Sequence, residues 1–174
     1  MERGRRPGAA VNPFRVRVEK DYTVFSAGHF ITYEGHLCEP LHGHNYRTRV
    51  AIEGGLDPEA HFVFDFSVLK QLTKRLVDEI DHKVLLPLES DIVKVTTQGA
   101  SVAVAVAGKP RYVFPVEDCA LLPVPNTTVE MLARYLAGRV RSEIDRSAAV
   151  RLAAVEIEVE ENFGQSATYR ETLS

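Results

Sequence analysis

Cysteine is scarce in this chain of 174 residues: Cys38 and Cys119 are the only two, too few for a disulfide framework. Long apolar runs are also missing. The longest, Val102 to Ala107, is far short of the ~20 residues that a membrane span needs. Arg3, Arg5 and Arg6 near the start are not followed by an apolar stretch of signal-peptide length, so residues 1–13 read as a flexible basic tail. Neither charge is in large excess: Lys+Arg 21 against Asp+Glu 24 gives a net −3. Without a global basic field, nucleic acid and anionic membrane are excluded as main partners, and an anionic substrate would need a local cluster. No internal repeat is evident. These absences leave a cytoplasmic protein with one domain over 14–174, since ~150 residues is a typical domain length.

The patterning that is present describes an α+β fold. Phe14, Val16 and Val18 alternate with Arg15, Arg17 and Glu19, a half-buried strand that continues through Phe25 towards His29. After a loop rich in Gly, Pro and His, alternation resumes: Tyr46, Thr48, Val50 and Ile52 oppose Arg47, Arg49 and Glu53. Two long strands joined by a wide loop predict an antiparallel pair. The period then changes. Leu69, Leu72, Leu76 and Ile80 form one stripe of a helix over 65–80, and Val129, Leu132, Leu136, Val140 and Ile144 form that of a second over about 128–145. Thr127-x-x-Glu130 reads as a capping box at its start. A strand over 151–161 and a short one around 167–173 complete an order β-β-α-α-β-β, an antiparallel sheet with two helices on one face. Between the helices, about 90–120, short strands broken at Gln98-Gly99 and Gly108-Lys109-Pro110 read as an inserted hairpin or meander. A small open sheet leaves edges to cover, which favours strand-to-strand oligomers.

His42-Gly43-His44 is the sharpest chemical feature among six histidines. At period two both imidazoles project from one side of an extended segment, and Gly43 leaves room for close approach. In a hairpin-like pair, the end of the first strand lies beside the start of the second, so His29 can join them. Three His ligands without an obvious fourth describe an open, catalytic Zn²⁺ site; the plainer alternative is three surface loop histidines. Cys38 has two readings. It is either a fourth ligand, making the site structural, or a free thiol whose pKa a nearby cation lowers, suited to act as base or nucleophile. Asp81-His82 is either a helix-terminal cation or a couple in which the carboxylate orients an imidazole for proton transfer. Glu161 shares parity with Val155, Ile157 and Val159. At that strand end it is either solvated or in need of a donor partner, such as an Arg or the N–H pair of a heterocycle.

Taken in order, Phe25-Ser-Ala-x-His29, Cys38-x-x-x-His42-Gly-His44-Asn-Tyr, Asp65-Phe-x-x-Leu69, Asp81-His82-x-x-Leu85 and Glu161 followed by Ala167-x-Tyr169 resemble the 6-pyruvoyltetrahydropterin synthase / 6-carboxytetrahydropterin synthase family. The resemblance spans about Phe14 to Leu173, apart from roughly 90–120. It implies a tunnelling fold whose subunits join edge to edge, usually into a homohexamer with active sites between subunits. It also implies Zn²⁺ on His29, His42 and His44, Cys38 as catalytic base, Asp81 with His82 as the proton relay, and Glu161 as the anchor of the pterin ring. Thr127 and Thr128 fall where family members line the pterin pocket. Three residues between Cys38 and His42 match the bacterial 6-carboxytetrahydropterin synthases of queuosine biosynthesis, which release acetaldehyde and triphosphate from dihydroneopterin triphosphate. Glu39 resembles a variant group that converts dihydroneopterin to 6-hydroxymethyl-7,8-dihydropterin for folate synthesis. Cys-Glu-x-x-His-Gly-His, with both residues, is similar to a dual-function subgroup. The pyruvoyl synthase reaction and a non-catalytic pterin-binding oligomer are the remaining alternatives.

Overall fold

A computed structural model of the chain describes residues 14–19, 23–147 and 152–173. The basic tail over 1–13 lies outside the described residues. The organising strand is the longest, β5 (His42–Gly54), because two others share one of its sides. β2 (Val24–His29) pairs with its first half and β1 (Phe14–Val18) with its second, both antiparallel. The sequence pattern that reads as one strand from Phe14 to His29 is therefore two strands laid end to end on one partner. Thr23 marks the junction, its hydroxyl donating to the carbonyl of Thr48 at 2.7 Å. The other side of β5 takes β11 (Leu152–Asn162), followed by β12 (Gln165–Thr172), again antiparallel.

Both helices match the expected stripes except at one end: the first stops at Asp78, and Ile80 is buried from the turn beyond it. α1 (Phe66–Asp78) buries Leu69, Leu72, Leu76 and Val77, and Asp65 caps it by accepting from the N–H groups of Ser67 and Val68. α2 (Val129–Ser147) buries Leu132, Leu136, Val140 and Ile144. The expected capping box is corrected by one residue: the hydroxyl of Thr128, not of Thr127, accepts from the N–H of Met131, 3.5 Å away. The helices and the sheet share one core, which includes Phe25, Tyr46, Val50, Ile52, Leu85, Val155, Ile157 and Val159. Each such side chain contributes roughly 1.5–3 kcal/mol on burial.

Beyond β2 the sheet ceases to be antiparallel. β6 (Lys83–Pro87) pairs parallel with β2, and β10 (Cys119–Leu122) pairs parallel with β6. Alternation could not reveal these two strands. They are short, and Leu85-Leu86 and Ala120-Leu121-Leu122 are continuous apolar runs, as suits strands covered on both faces. The covering layer is the insertion. β7 (Val93–Gln98), β8 (Ser101–Val106) and β9 (Lys109–Pro115) form a separate antiparallel sheet. Its β8–β9 turn puts Ala107 and Gly108 at φ 48° and 76°, the double positive φ that a tight hairpin demands. It closes a second core around Phe30, Leu86, Val102, Val104 and Val106. Among the described residues, no helix is long and apolar enough to cross a membrane.

Candidate metal centre and active site

Register alone brings the three histidines together. In the β2–β5 ladder His29 stands directly opposite His42, and Ala27 opposite His44. Residues 42, 44 and 46 share one face of β5. Ring centroids lie 4.6 Å (His29–His42), 5.3 Å (His29–His44) and 4.9 Å (His42–His44) apart. One nitrogen from each ring falls within 4.8 Å of the others, so the cluster could hold a metal ion. Gly43 favours the close pairing here. A Cβ at that position would meet the carbonyl oxygen of Ala27 at 3.2 Å, so the backbone beneath the rings would have to give by a few tenths of an ångström.

The proton positions of two ligands follow from their partners. His29 Nδ1 lies 2.8 Å from the carbonyl oxygen of Thr127, and His42 Nδ1 lies 2.9 Å from that of Pro40. A carbonyl only accepts, so both rings carry their proton on Nδ1 and turn a bare Nε2 lone pair inward. Among the described residues, buried His29 Nε2 has no hydrogen-bond partner. Glu161 Oε1 approaches it at 3.2 Å, but a lone pair facing a carboxylate is no hydrogen bond; the same oxygen lies 3.5 Å from His44 Nε2. Lone pairs and an acidic oxygen converging on one buried space, without a cation, are costly. The donor set fits a divalent ion with imidazole ligands, and an outer carbonyl fixing each tautomer is the usual support of such ligands. Burial holds His29 below the ordinary histidine pKa, against the opposing hydrogen bond to Thr127, and so keeps it in its ligating neutral form. The centre is graded in exposure: His29 is sealed in and His42 is open to solvent.

Tyr46 is a functional neighbour that the sequence reading missed. It lies under the centre, edge-on to His29 and His44, and its hydroxyl donates to Glu161 at 3.4 Å. The signal was available: Tyr46 continues the His42, His44 row at period two. It also supplies the donor that Glu161 needs. Burial first, and then the Glu161 carboxylate, push the Tyr46 phenol far above its ordinary pKa, so it stays a donor. Glu161 itself sits where the β11–β12 ladder shifts register, between Glu160 and Asn162.

Asp81 and His82 follow α1 in a turn, two residues beyond its C-cap at Glu79. Their couple is formed: His82 Nδ1 lies 2.9 Å from Asp81 Oδ1, which also accepts from the N–H of Ser26 at 2.8 Å. The backbone N–H of His82 donates to the carbonyl of Ser26 at 2.6 Å, and its φ of 55° turns the ring outward. Partial burial would raise the Asp81 pKa, but the bonds from Ser26 and His82 outweigh it and hold the carboxyl below its ordinary value. Two clefts meet at the ridge Gly43–His44–Asn45. One, of about 390 Å³, is walled by Ser26, His44, His82 and Lys83. The other, of about 440 Å³, is walled by His44, Arg47, Glu161 and Phe163.

Cys38 ends a two-residue strand, and Glu39 begins the loop from there to β5. The expected lowering of the Cys38 thiol pKa depends on a bound cation; the protein's own groups together act the other way. Burial among the side chains of the second core pushes it up; Arg111 opposes this and Glu39 adds to it. The Glu39 carboxylate comes within 4.0 Å of His42 Nε2. Thr127 is fully buried, its hydroxyl donating to the carbonyl of Phe30 at 2.8 Å while its own carbonyl holds His29. Thr128 is half-buried at the start of α2.

The curled mixed sheet, the two helices against it and the convergent imidazoles define an α+β protein of the tunnelling fold, with a centre able to hold a metal ion. The 6-pyruvoyl tetrahydropterin synthase family model matches residues 17–172. The chain belongs to that family, a family of enzymes. It is 34% identical over 150 residues, 86% of its own length and 90% of the other's, to a Methanocaldococcus jannaschii protein provisionally named 6-carboxy-5,6,7,8-tetrahydropterin synthase. A structure of Plasmodium falciparum 6-pyruvoyl tetrahydropterin synthase superposes with a TM-score of 0.85 at 30% identity, covering 92% of this chain and 98% of that one. The Plasmodium vivax enzyme, in a form whose catalytic glutamate is replaced by alanine, superposes with a TM-score of 0.84 at 26% identity and the same coverage.

Proposed function

We propose that this chain is a Zn²⁺-dependent 6-carboxy-5,6,7,8-tetrahydropterin synthase, a carbon–carbon lyase that releases acetaldehyde and triphosphate from 7,8-dihydroneopterin triphosphate on the route to queuosine. The observation that carries the reading is the inward convergence of His29, His42 and His44, with His29 Nε2 buried and unpartnered. These three residues would hold the ion. When bound, Zn²⁺ supplies Lewis-acid polarisation of the two side-chain hydroxyls and acidifies the neighbouring C–H bonds. Cys38 acts as the base that takes a proton from the side-chain carbon, and His82, oriented by Asp81, returns one. Glu161 binds the N–H edge of the pterin, with Tyr46 fixing its carboxylate. Thr127 and Thr128 belong to the same pocket, Thr127 through its hold on His29. The His82 side chain is 81% exposed in a single subunit. A relay so open is sheltered only when another chain covers it, which favours a homo-oligomer, a hexamer by resemblance, with sites between subunits.

A second reading is favoured by Glu39, whose carboxylate reaches within 4.0 Å of His42 Nε2, and by a relative whose catalytic residue is a glutamate. In it Glu39 is the base, and dihydroneopterin is cleaved to 6-hydroxymethyl-7,8-dihydropterin and glycolaldehyde. Mass spectrometry on both pterins, side by side with zinc-loaded protein, separates the two. Acetaldehyde lost in Cys38→Ala supports the first, and glycolaldehyde lost in Glu39→Ala supports the second. Intact substrate in both incubations overturns each.

A further inference from the structure

The sheet β7–β9 contributes no histidine to the centre, yet its last strand grips the loop that leads into it. Arg111 Nη2 donates to the carbonyl of Glu39 at 3.2 Å. The next residue, Tyr112, accepts at its hydroxyl from the N–H of Leu41, also at 3.2 Å. These two bonds bracket Pro40. From the other side, the N–H of Glu39 donates to the carbonyl of Ile31 at 3.0 Å, and His42 Nδ1 donates to the carbonyl of Pro40 at 2.9 Å. Each backbone polar group from the N–H of Glu39 to the N–H of Leu41 thus has a partner, and half of them are side chains of β9.

The gripping residues are themselves fixed. The ring of Tyr112 packs on Phe30 and Phe114, each 5.5 Å between centroids, within the second core. The guanidinium of Arg111 lies 5.3 Å over the Tyr112 ring. The gripped segment is short: it carries the Glu39 carboxylate and is flanked directly by the Cys38 thiol and the His42 ligand. Cys38 stands on the two-residue strand β4 (Leu37–Cys38), paired with β3 (Thr32–Tyr33), and its thiol donates to the carbonyl of Glu39 at 3.4 Å, the same oxygen that Arg111 holds, so the placing of that carbonyl bears directly on a group that must meet substrate at hydrogen-bond distance.

We propose that Arg111 and Tyr112 are positioning residues: strand β9 fixes the backbone of Glu39–Leu41, so that the thiol and carboxylate beside it are held in place relative to the histidines. The inference rests on the reading that Cys38 or Glu39 moves the proton. Two charged groups act on the Cys38 thiol, the Arg111 cation and the Glu39 anion.

The test uses the full chain, zinc-loaded, as wild type, Arg111→Ala, Arg111→Lys and Tyr112→Phe. Four quantities are read: kcat, KM, bound zinc, and the pH profile of Cys38 alkylation by iodoacetamide, resolved from Cys119 by peptide mass spectrometry. Arg111→Ala is expected to lower kcat about tenfold, less than the ~10²-fold that a 1 Å misplacement of a reacting group can cost. KM and zinc content stay within about twofold, because the ligands stand on the main sheet. The alkylation midpoint moves to higher pH, and Arg111→Lys restores it because the charge returns. Tyr112→Phe leaves the midpoint in place, lowers kcat severalfold and raises the plateau alkylation rate as the loop loosens. Unchanged kcat and an unchanged alkylation profile in both Arg111→Ala and Tyr112→Phe overturn the proposal. So does a midpoint shift in Arg111→Ala alone with kcat intact, which makes Arg111 a charge and not a positioning group. If the wild type forms no product from either pterin, the functional reading fails. The alkylation profiles then decide the positioning role alone: a raised plateau in Tyr112→Phe keeps it, and an unchanged one removes it.

Discussion

The metal ligands and the candidate bases are held by different means. His29, His42 and His44 stand on paired strands of the main sheet, where register sets their separation and a buried carbonyl sets the tautomer of His29. Cys38, at the end of the two-residue strand β4, and Glu39, in the loop that follows, have a backbone tied down from outside, by a sheet that supplies no metal ligand. The first arrangement needs only two adjacent strands, closely paired at a glycine. The second needs a whole inserted element. One follows: chemistry placed by strand register tolerates change elsewhere, whereas chemistry placed by a loop depends on whatever packs against it.

The largest effects should come from the strand-borne group. His29→Ala should abolish retention of zinc after dialysis, read by elemental analysis, and product formation should go with it. Next is the loop. Cys38→Ala should cut product formation about 10²- to 10⁴-fold, the usual share of a general base, while zinc content holds. If Cys38→Ala also lost the metal, the thiol would be a fourth ligand, and the distinction between the two regions would break down. Asp81→Asn should fall in the same kinetic range with zinc retained, since it removes the charge that orients His82.

This division also explains what could be read from the sequence. The histidine centre was legible because it rests on period-two alternation and on one assumption, that the end of β2 lies beside the start of β5. Both helical stripes were legible for a like reason, being local. The parallel strands β6 and β10 were not, because Leu85-Leu86 and Ala120-Leu121-Leu122 carry no alternation once both faces are covered. The outer carbonyl of Thr127 was invisible for another reason: a backbone atom leaves no mark on residue identity. Thr127 looked like a cap, and its hydroxyl is in fact spent on Phe30, 97 residues away in sequence. The grip of β9 on the loop depends on the same kind of long-range docking.

Thr127→Val sharpens the comparison at intermediate size. It keeps the shape but leaves the carbonyl of Phe30 unpaired in a buried place, a cost of about 1–3 kcal/mol in urea denaturation. The carbonyl of Thr127 would then be free to drift from His29, and zinc affinity should weaken on the order of tenfold by competition with a chelator. Cys38 alkylation should not change, as the loop is held from the other side.

The smallest effect concerns pH and the metal-free chain. Burial holds the His29 pKa below that of an unfolded histidine, about 6.5. Between those two values the unfolded chain binds the extra proton and the folded chain does not, so unfolding is favoured as pH falls. The stabilisation is present in full above about pH 6.5 and is lost progressively as pH falls through the folded pKa. Urea midpoints of the metal-free protein should therefore drop between pH 7.5 and 5.5, and a His29→Gln variant should show a shallower drop. Zinc should flatten the wild-type profile by holding His29 neutral, with no matching change in His29→Gln. A wild-type profile that is flat without metal would mean that His29 is not sealed from water, and that the strand-borne half of the centre is as open as the loop-borne half.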